Sequence, residues 1–333
     1  MSNRFVTLSD DDKRLLIAHT SQQMKLPVQV IEKDWWVTAV LSVISQLSYS
    51  RYVSFKGGTS LSKAWSMIKR FSEDVDIALD HSFFGIDNTS RSQRMKLRKV
   101  CRAFITGQLS KEISDALCIL GCKGFYVEPV TKKHGVEIDG DKDPTVIMVK
   151  YESLFPSVLP YVQQAVKIEI SCLSMNEPLA PCDISSMLSQ SVPALAHDDN
   201  FVINTVLPSR TFLEKAFLLN EEYQRDHPRS FRMSRHLYDL ERMMDSDFAS
   251  DALSDMSLCQ KIIQHRRDFY NLKYVDYDSD LPQRIQICPP NDILHDWSLD
   301  YEDLRTSFIY GESLSFDNLI ERILILQERF HEA

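Results

Sequence analysis

The chain is 333 residues long with a net charge of −9, 44% hydrophobic residues and 26% charged residues. This length suffices for a large core and two domains, and the acidic balance argues against broad nonspecific nucleic-acid binding, although not against a local basic patch. No apolar run approaches the roughly 18 residues of a membrane-spanning helix. The N-terminus lacks a signal peptide's apolar core, and the seven cysteines are scattered. We expect a cytoplasmic protein without a membrane partner.

Taken in chain order, the sequence first predicts helices over residues 1–50. Ser9 and the aspartates after it are typical of a helix N-cap, Pro27 ends that helix, and a second, strongly apolar helix runs over 28–47 with the block Glu32-Lys33-Asp34-Trp35-Trp36. The next part alternates, with strands expected at 51–56, 75–79, 125–130, 146–151 and 166–172 and helices at 60–69 and 90–119. Beyond it, helices are expected at 210–226, 233–247, 256–271 and 315–331. The pattern predicts an α/β (α+β) fold with an N-terminal helical segment (1–50), a core with a mixed sheet (51–205) and a helical C-terminal domain (206–333).

The clearest functional signal is a glycine turn followed by two carboxylates. Phe55-Lys56-Gly57-Gly58-Thr59-Ser60 is followed, one short helix later, by Asp74 and Asp76. Side chains two apart on a strand share a face. Adjacent carboxylates repel each other unless a cation lies between them, and hard oxygen ligands suit Mg²⁺ shared with substrate phosphates. Because the Gly-Gly turn admits a close ligand and the helix after it offers N–H groups to an anion, the pattern predicts nucleotide chemistry. Glu73, on the other face or in the turn, is not expected to be a ligand.

A third carboxylate is a candidate for completing a two-metal site. In Lys167-Ile168-Glu169-Ile170 the isoleucines would face the core, and Glu169 would lie beside the aspartate pair if the two strands are neighbours. An edge strand with a solvated Lys/Glu face explains the same pattern. Glu137 and Asp139 are rivals for the role.

Two helical segments further along carry other candidates. Lys215 is surrounded by apolar residues, so that its side chain either extends to solvent or points into a cleft where it neutralises a triphosphate. His236 and Asp239 share a helix face at spacing i, i+3, which fits either a metal site or a hydrogen-bond network.

Basic residues form two groups that could bind the phosphates of a polynucleotide backbone. One is the helix with Arg91, Arg94, Arg98 and Arg102, whose charges fall on more than one face; the other includes Arg232 and Arg235. A solvated surface accounts equally well for either group.

Taken together and in this order, these blocks resemble the AbiEii/AbiGii-type toxins, which are nucleotidyltransferases with a DNA-polymerase-β-like core found in bacterial toxin–antitoxin and phage-defence systems. The resemblance covers roughly residues 28–245. It rests on Glu32 to Trp36, Phe55 to Leu61, Arg70 to Asp76, Lys167 to Glu169, Glu214-Lys215 and Ser234 to Leu240. No motif after about residue 250 contributes to it.

The resemblance implies a polymerase-β-type nucleotidyltransferase core and a set of roles. Lys56, Gly57, Gly58, Thr59, Ser60 and Lys215 would bind the nucleotide; Asp74, Asp76 and Glu169 would bind Mg²⁺, with two ions expected; Lys215 and Asp239 would belong to the active site. The family often has Asp where this chain has Glu169.

The reaction implied is transfer of a nucleoside monophosphate from an NTP to an RNA acceptor, such as a tRNA 3′ end, with release of pyrophosphate. Catalysis of such a reaction is mainly positioning and charge neutralisation. Asp239 would orient Lys215 or bind a metal or the acceptor. A cognate antitoxin is implied as the partner. The alternatives are transfer to a protein or small-molecule hydroxyl, and a catalytically silent nucleotide- or partner-binding module.

Overall fold

The computed structural model describes residues 4–86, 90–133, 135–140, 142–155, 163–175, 177–196 and 198–333. These residues divide into two compact units. Unit 1 comprises Met1–Ala64 and Ser72–Thr205, and unit 2 comprises Trp65–Phe71 and Val206–Ala333. The chain therefore leaves unit 1 for a short segment and returns to it just before Asp74.

Unit 1 is built around a mixed β-sheet. The strands are β1 (Val53–Lys56), β2 (Asp74–Leu79), β3 (Phe125–Pro129), β4 (Lys132–Lys133), β5 (Val136–Glu137), β6 (Thr145–Tyr151), β7 (Ala165–Ser171), β8 (Leu179–Ile184) and β9 (Phe201–Val206). Seven of them form one sheet in the order β3-β6-β7-β2-β1-β9-β8, and β4 pairs with β5 separately. Strand β2 runs parallel to β7 and antiparallel to β1, so it lies in the middle of the sheet.

One helix of unit 1 is buried along most of its length. The helices of this unit are α1 (Arg4–Thr7), α2 (Asp10–Met24), α3 (Val28–Ser45), α4 (Gly57–Lys63), α5 (Arg91–Phe104), α6 (Ser110–Leu120) and α7 (Met187–Ser191). Helix α3 packs against α2, α6, α7 and β7, and every residue from Val30 to Ile44 is buried. This burial fits most of its sequence, because a largely apolar helix belongs in a core, and the charged block Glu32 to Asp34 is the exception. Ser9 caps α2 as predicted, its side chain accepting from the Asp12 N–H.

Unit 2 is helical. Its helices are α8 (Pro208–Tyr223), α9 (Ser234–Met243), α10 (Asp247–Ser254), α11 (Met256–His265), α12 (Leu294–Ser307) and α13 (Phe316–Glu332). Helix α8 packs against α9, α10 and α11, while α13 packs against α9 and α12. The segment Trp65–Phe71 joins this unit through backbone hydrogen bonds from Phe71 N–H to Phe308 C=O and from Tyr310 N–H to Lys69 C=O. Within the described residues, no helix has the length and apolar content needed to cross a membrane.

Several elements differ from the sequence-based expectation. Strand β8 was not predicted because Pro181 interrupts it, but β8 is an edge strand, where proline is tolerated. Strand β9 and helix α12 were not predicted either. The helical region expected over 90–119 contains a π-helical turn at Ile105–Leu109, and the helix expected over 60–69 begins and ends earlier, at Gly57 and Lys63.

Candidate functional site

Strands β2 and β7 bring the candidate carboxylates together in unit 1. Asp76 is opposite Glu169, and Asp74 is opposite Lys167. Because neighbouring strands in register align their faces, these four side chains lie on one side of the sheet, and all four are half-buried. Val75 and Ile77 on the opposite face are buried. The neighbouring arrangement expected for the Lys-x-Glu strand is therefore present.

Lys167 supplies a positive charge to this face. Its Nζ forms a salt bridge with Glu169 Oε1. Burial lowers the pKa of Lys167, but the hydrogen bond to Glu169 and the charges of Asp74 and Asp76 outweigh this effect and raise the pKa. Lys167 therefore offsets part of the repulsion among the three carboxylates, a role that the sequence analysis did not assign to it.

A glycine lies directly against one of the aspartates. Gly57 has φ +78°, and a Cβ atom at this position would be 2.1 Å from Asp76 Oδ2. Such a φ is easily adopted only by glycine. Lys56, the preceding residue, is opposite Asp76 in the β1–β2 pair, and its Nζ donates to Ser174 Oγ over 2.8 Å. The glycine turn therefore brings the backbone of Gly57 close to the Asp76 carboxylate, where no side chain would fit.

The two hydroxyl groups after the glycine turn bond within the protein. Thr59 Oγ1 donates to the backbone C=O of Asp74 and lies 3.0 Å from Ser72 Oγ. Ser60 Oγ donates to the C=O of Gly57 over 2.8 Å. Both residues are almost fully buried, at 1% and 0% exposed. The Thr59 hydroxyl therefore connects α4 to β2, whereas the Ser60 hydroxyl bonds within α4. The predicted contact of both residues with nucleotide phosphates stays a prediction.

The donors on the β2–β7 face suit a hard divalent cation. Asp74 and Asp76 present carboxylate oxygens, and a Cβ at position 57 would fill the space beside one of them. In the described parts of the chain, no three His, Cys, Asp or Glu side chains are grouped as a complete ligand set. The fit is therefore to an ion held by a carboxylate pair that completes its coordination with substrate and water, as Mg²⁺ commonly does.

The rival carboxylates lie elsewhere. Glu137 belongs to β5 of the separate two-stranded sheet, where it forms a salt bridge with Lys132. Asp139 follows this strand and is exposed. Neither residue is on a strand that pairs with β2, so Glu169 is the third carboxylate that the sheet places beside the aspartate pair.

In unit 2, Asp239 organises two buried cations. Its carboxylate accepts from Arg70 Nε and from a terminal guanidinium nitrogen of Arg70, both over 2.7 Å, and Lys215 Nζ is 2.8 Å from Oδ2. Burial alone would raise the pKa of Asp239, but the charges of Arg70 and Lys215 lower it. Burial lowers the pKa of Lys215, and Arg70 contributes to the decrease. With both bases protonated, the group carries one net positive charge.

Arg70 is the residue of this group that the sequence analysis missed. It belongs to the Arg70–Asp76 block but was not assigned a role, because nothing in the local pattern shows that it reaches a residue 169 positions away. Both Asp239 oxygens accept hydrogen bonds from these two cations. His236, on the same face of α9, is buried, and burial holds its pKa far below the usual value. Its Nδ1 has no hydrogen-bond partner among the described residues.

The basic residues considered for RNA binding differ in exposure. Arg91 and Arg232 are exposed, Arg94, Arg98 and Arg235 are half-buried, and Arg102 is only 8% exposed. The Arg94, Arg98 and Arg102 side of α5 therefore faces inward to differing extents. Arg91 and Arg232 are the most exposed of this set, and contact of any of the six residues with RNA stays a prediction.

Two comparisons relate the chain to known proteins. Residues 39–322 match the model of a protein family described as "Nucleotidyl transferase AbiEii toxin, Type IV TA system". Among solved structures, the chain is similar to MenT4, a nucleotidyltransferase toxin from Mycobacterium tuberculosis H37Rv, with a TM-score of 0.51 and 14% sequence identity over 97% of this chain and 93% of that one. At this identity the likeness is one of fold. No curated protein matches the sequence.

Proposed function

The chain belongs to the AbiEii family of nucleotidyltransferase toxins, and from this premise we propose that it transfers a nucleoside monophosphate from an NTP to RNA, with the 3′ end of tRNA as the acceptor. Membership confirms the predicted enzyme class and makes the protein the toxin of a type IV toxin–antitoxin system, which implies an antitoxin partner. Modification of the tRNA 3′ end would block translation and hence growth.

The observation that carries the proposed chemistry is the carboxylate face of β2 with Gly57 against Asp76. Asp74 and Asp76 would hold Mg²⁺, and Glu169 would contribute to a second ion if Lys167 releases it. The metal would polarise the transferred phosphoryl group and lower the pKa of the attacking hydroxyl. The residues themselves would orient the reacting groups, and positioning together with charge neutralisation accounts for most of the rate enhancement in phosphoryl transfer.

The positive group of unit 2 supports a role in neutralising phosphate. Lys215 and Arg70 carry two positive charges when protonated, and Asp239 balances one of them. We assign Lys215 to the phosphates of the nucleotide. Asp239 then orients Lys215 and Arg70 and does not act as a proton acceptor, because its lowered pKa makes it a weak base and its oxygens already accept hydrogen bonds from both cations.

The proposed RNA acceptor depends on exposed basic residues at the protein surface. The overall charge of −9 does not favour binding to any polyanion, so recognition would depend on local basic residues such as Arg91 and Arg232. Phosphate contacts of this kind weaken with added salt. Charge reversal at Arg91 should therefore raise KM for the RNA and reduce its salt dependence, with little effect on KM for the NTP.

The experiment that tests this function is a transfer assay with purified protein, Mg²⁺, each labelled NTP in turn and total cellular RNA. The variant Asp74→Ala/Asp76→Ala removes the carboxylate pair. As a matched control, Asp10→Ala/Asp11→Ala removes two adjacent, exposed acids at the start of α2. The wild type and the control should label a tRNA-sized band, and the Asp74/Asp76 variant should not.

Other outcomes separate the alternatives. Label in protein or in a small molecule, but not in RNA, would retain the carboxylate site and refute the RNA acceptor. Nucleotide binding without transfer to any acceptor would favour a silent binding module. Transfer that persists in the Asp74/Asp76 variant would show that these carboxylates do not carry the reaction.

A further inference from the structure

Helix α3 places three consecutive charged residues in the interior of unit 1. Glu32, Lys33 and Asp34 are each no more than 3% exposed, within a helix whose other residues from Val30 to Ile44 are also buried. Removing charges from water is costly, and a buried ion pair is often replaceable by apolar residues without loss of stability. Stability alone is therefore a poor explanation for this cluster. The partners of Lys33 and Asp34 indicate a role in positioning the candidate metal ligands.

Lys33 is bound to the residue that precedes the candidate metal ligands. Its Nζ donates to Glu73 Oε2 over 2.7 Å, with side-chain exposures of 2% and 10%. Glu73 immediately precedes Asp74, the first residue of β2. Glu73 and Val75 are buried while Asp74 and Asp76 are half-buried, the alternation expected when successive side chains point to opposite faces. Holding Glu73 on the α3 side thus directs Asp74 and Asp76 to the other side.

Asp34 makes a second tie to the same site. Its Oδ1 accepts from Lys63 Nζ over 2.6 Å, and Oδ2 accepts from the Met187 N–H over 2.8 Å. Lys63 is the last residue of α4, the helix that begins at Gly57 against Asp76. Consecutive residues of one rigid helix therefore hold the two elements that meet at the Asp76 carboxylate.

We propose that Lys33, through its ion pair with Glu73, is a positioning residue for the nucleotidyl-transfer reaction, holding the start of β2 so that Asp74 and Asp76 face the nucleotide. This inference rests on the proposed function. Displacement of a reacting or ligating group by about 1 Å can reduce the rate about 100-fold. Loss of the pair should thus act mainly on kcat, with KM for the NTP changed little at saturating Mg²⁺, because Glu73 and Lys33 lie on the side of the sheet opposite to Asp74 and Asp76.

The test compares Lys33→Met, which leaves Glu73 buried without this cation, with Lys33→Met/Glu73→Gln, which removes both charges. The matched control is Arg266→Met/Glu221→Gln in unit 2, where a buried pair of similar exposure is joined by two hydrogen bonds of 2.5 Å. We measure kcat and KM for the NTP, the thermal midpoint, Mn²⁺ affinity by electron paramagnetic resonance, and amide hydrogen exchange of 73–79.

For the Lys33/Glu73 double variant we expect a thermal midpoint close to that of the control variant, kcat reduced about 100-fold, KM within about 3-fold of wild type, weaker Mn²⁺ binding and faster exchange confined to the start of β2. The control should keep the wild-type kcat. A double variant with wild-type kcat, Mn²⁺ affinity and exchange would overturn the proposal, as would an equal loss of kcat in the control.

Failure of the proposed function gives a different result. In that case the wild type transfers label to no acceptor. The positioning role of Lys33 is then tested only by Mn²⁺ affinity and by amide hydrogen exchange of 73–79. Changes in both at β2 in the Lys33/Glu73 variant, and not in the control, would still support the positioning role. Their absence would refute it.

Discussion

The substitution Gly57→Ala is expected to abolish most of the activity by displacing Asp76. At the observed backbone position, the new Cβ would be 2.1 Å from Asp76 Oδ2, 2.8 Å from Cγ and 3.1 Å from Cβ. Relief of this overlap requires a separation of about 1 Å, which is enough to reduce a positioned reaction about 100-fold, or about 2.7 kcal/mol of activation free energy. Retaining φ +78° with a side chain would cost about 1–2 kcal/mol of folding stability in addition.

The assay is transfer of labelled nucleotide at saturating NTP, with thermal unfolding measured in parallel. Gly107→Ala is the control, because a Cβ at Gly107 has no heavy atom within 4 Å and alanine is favoured over glycine in a helix. The control should keep wild-type activity. Activity of Gly57→Ala within about 3-fold of wild type would refute the reasoning that links the glycine turn to the Asp76 carboxylate.

Three further predictions concern buried charges. Asp239→Asn, which weakens the hold on Arg70, should lower kcat/KM at least 10-fold, as measured in the transfer assay, and an unchanged value would contradict the orienting role. Lys63→Met leaves Asp34 buried without this cation and should lower the thermal midpoint, with a free-energy cost of about 3–5 kcal/mol in urea unfolding. Burial raises the pKa of Asp280 from 3.8 to about 7, so its protonated form favours folding, and this contribution is lost as the pH rises from about 4 to 7. The free energy of unfolding of Asp280→Asn relative to wild type should therefore increase over that pH range, by at most about 4 kcal/mol. Urea unfolding at several pH values checks this, and a difference between variant and wild type that does not change with pH would count against it.

Much of the fold follows from local sequence patterns. The apolar helix α3, the capped helix α2 and the alternating strands β2, β6 and β7 were expected close to their observed bounds. Their positions depend on a periodicity that each segment carries by itself, so they can be predicted without knowing the neighbours. Strand β8 escaped prediction for the related reason that its proline is acceptable only at a sheet edge, and edge position is a property of the assembled sheet.

In the candidate site, too, some features follow from local sequence and others from the tertiary structure. The spacing of Asp74 and Asp76 determined that they share a face, and the glycine turn before them indicated a close approach by backbone, because both follow from the geometry of a few successive residues. Whether Glu169 or Glu137 lies beside the pair depended on which strands are neighbours, and this is decided by long-range pairing. The partners of Asp239 and Lys33 likewise could not be predicted from the sequence. Buried charges are costly unless paired, so the chain must supply partners, but only the tertiary structure decides which distant residues they are.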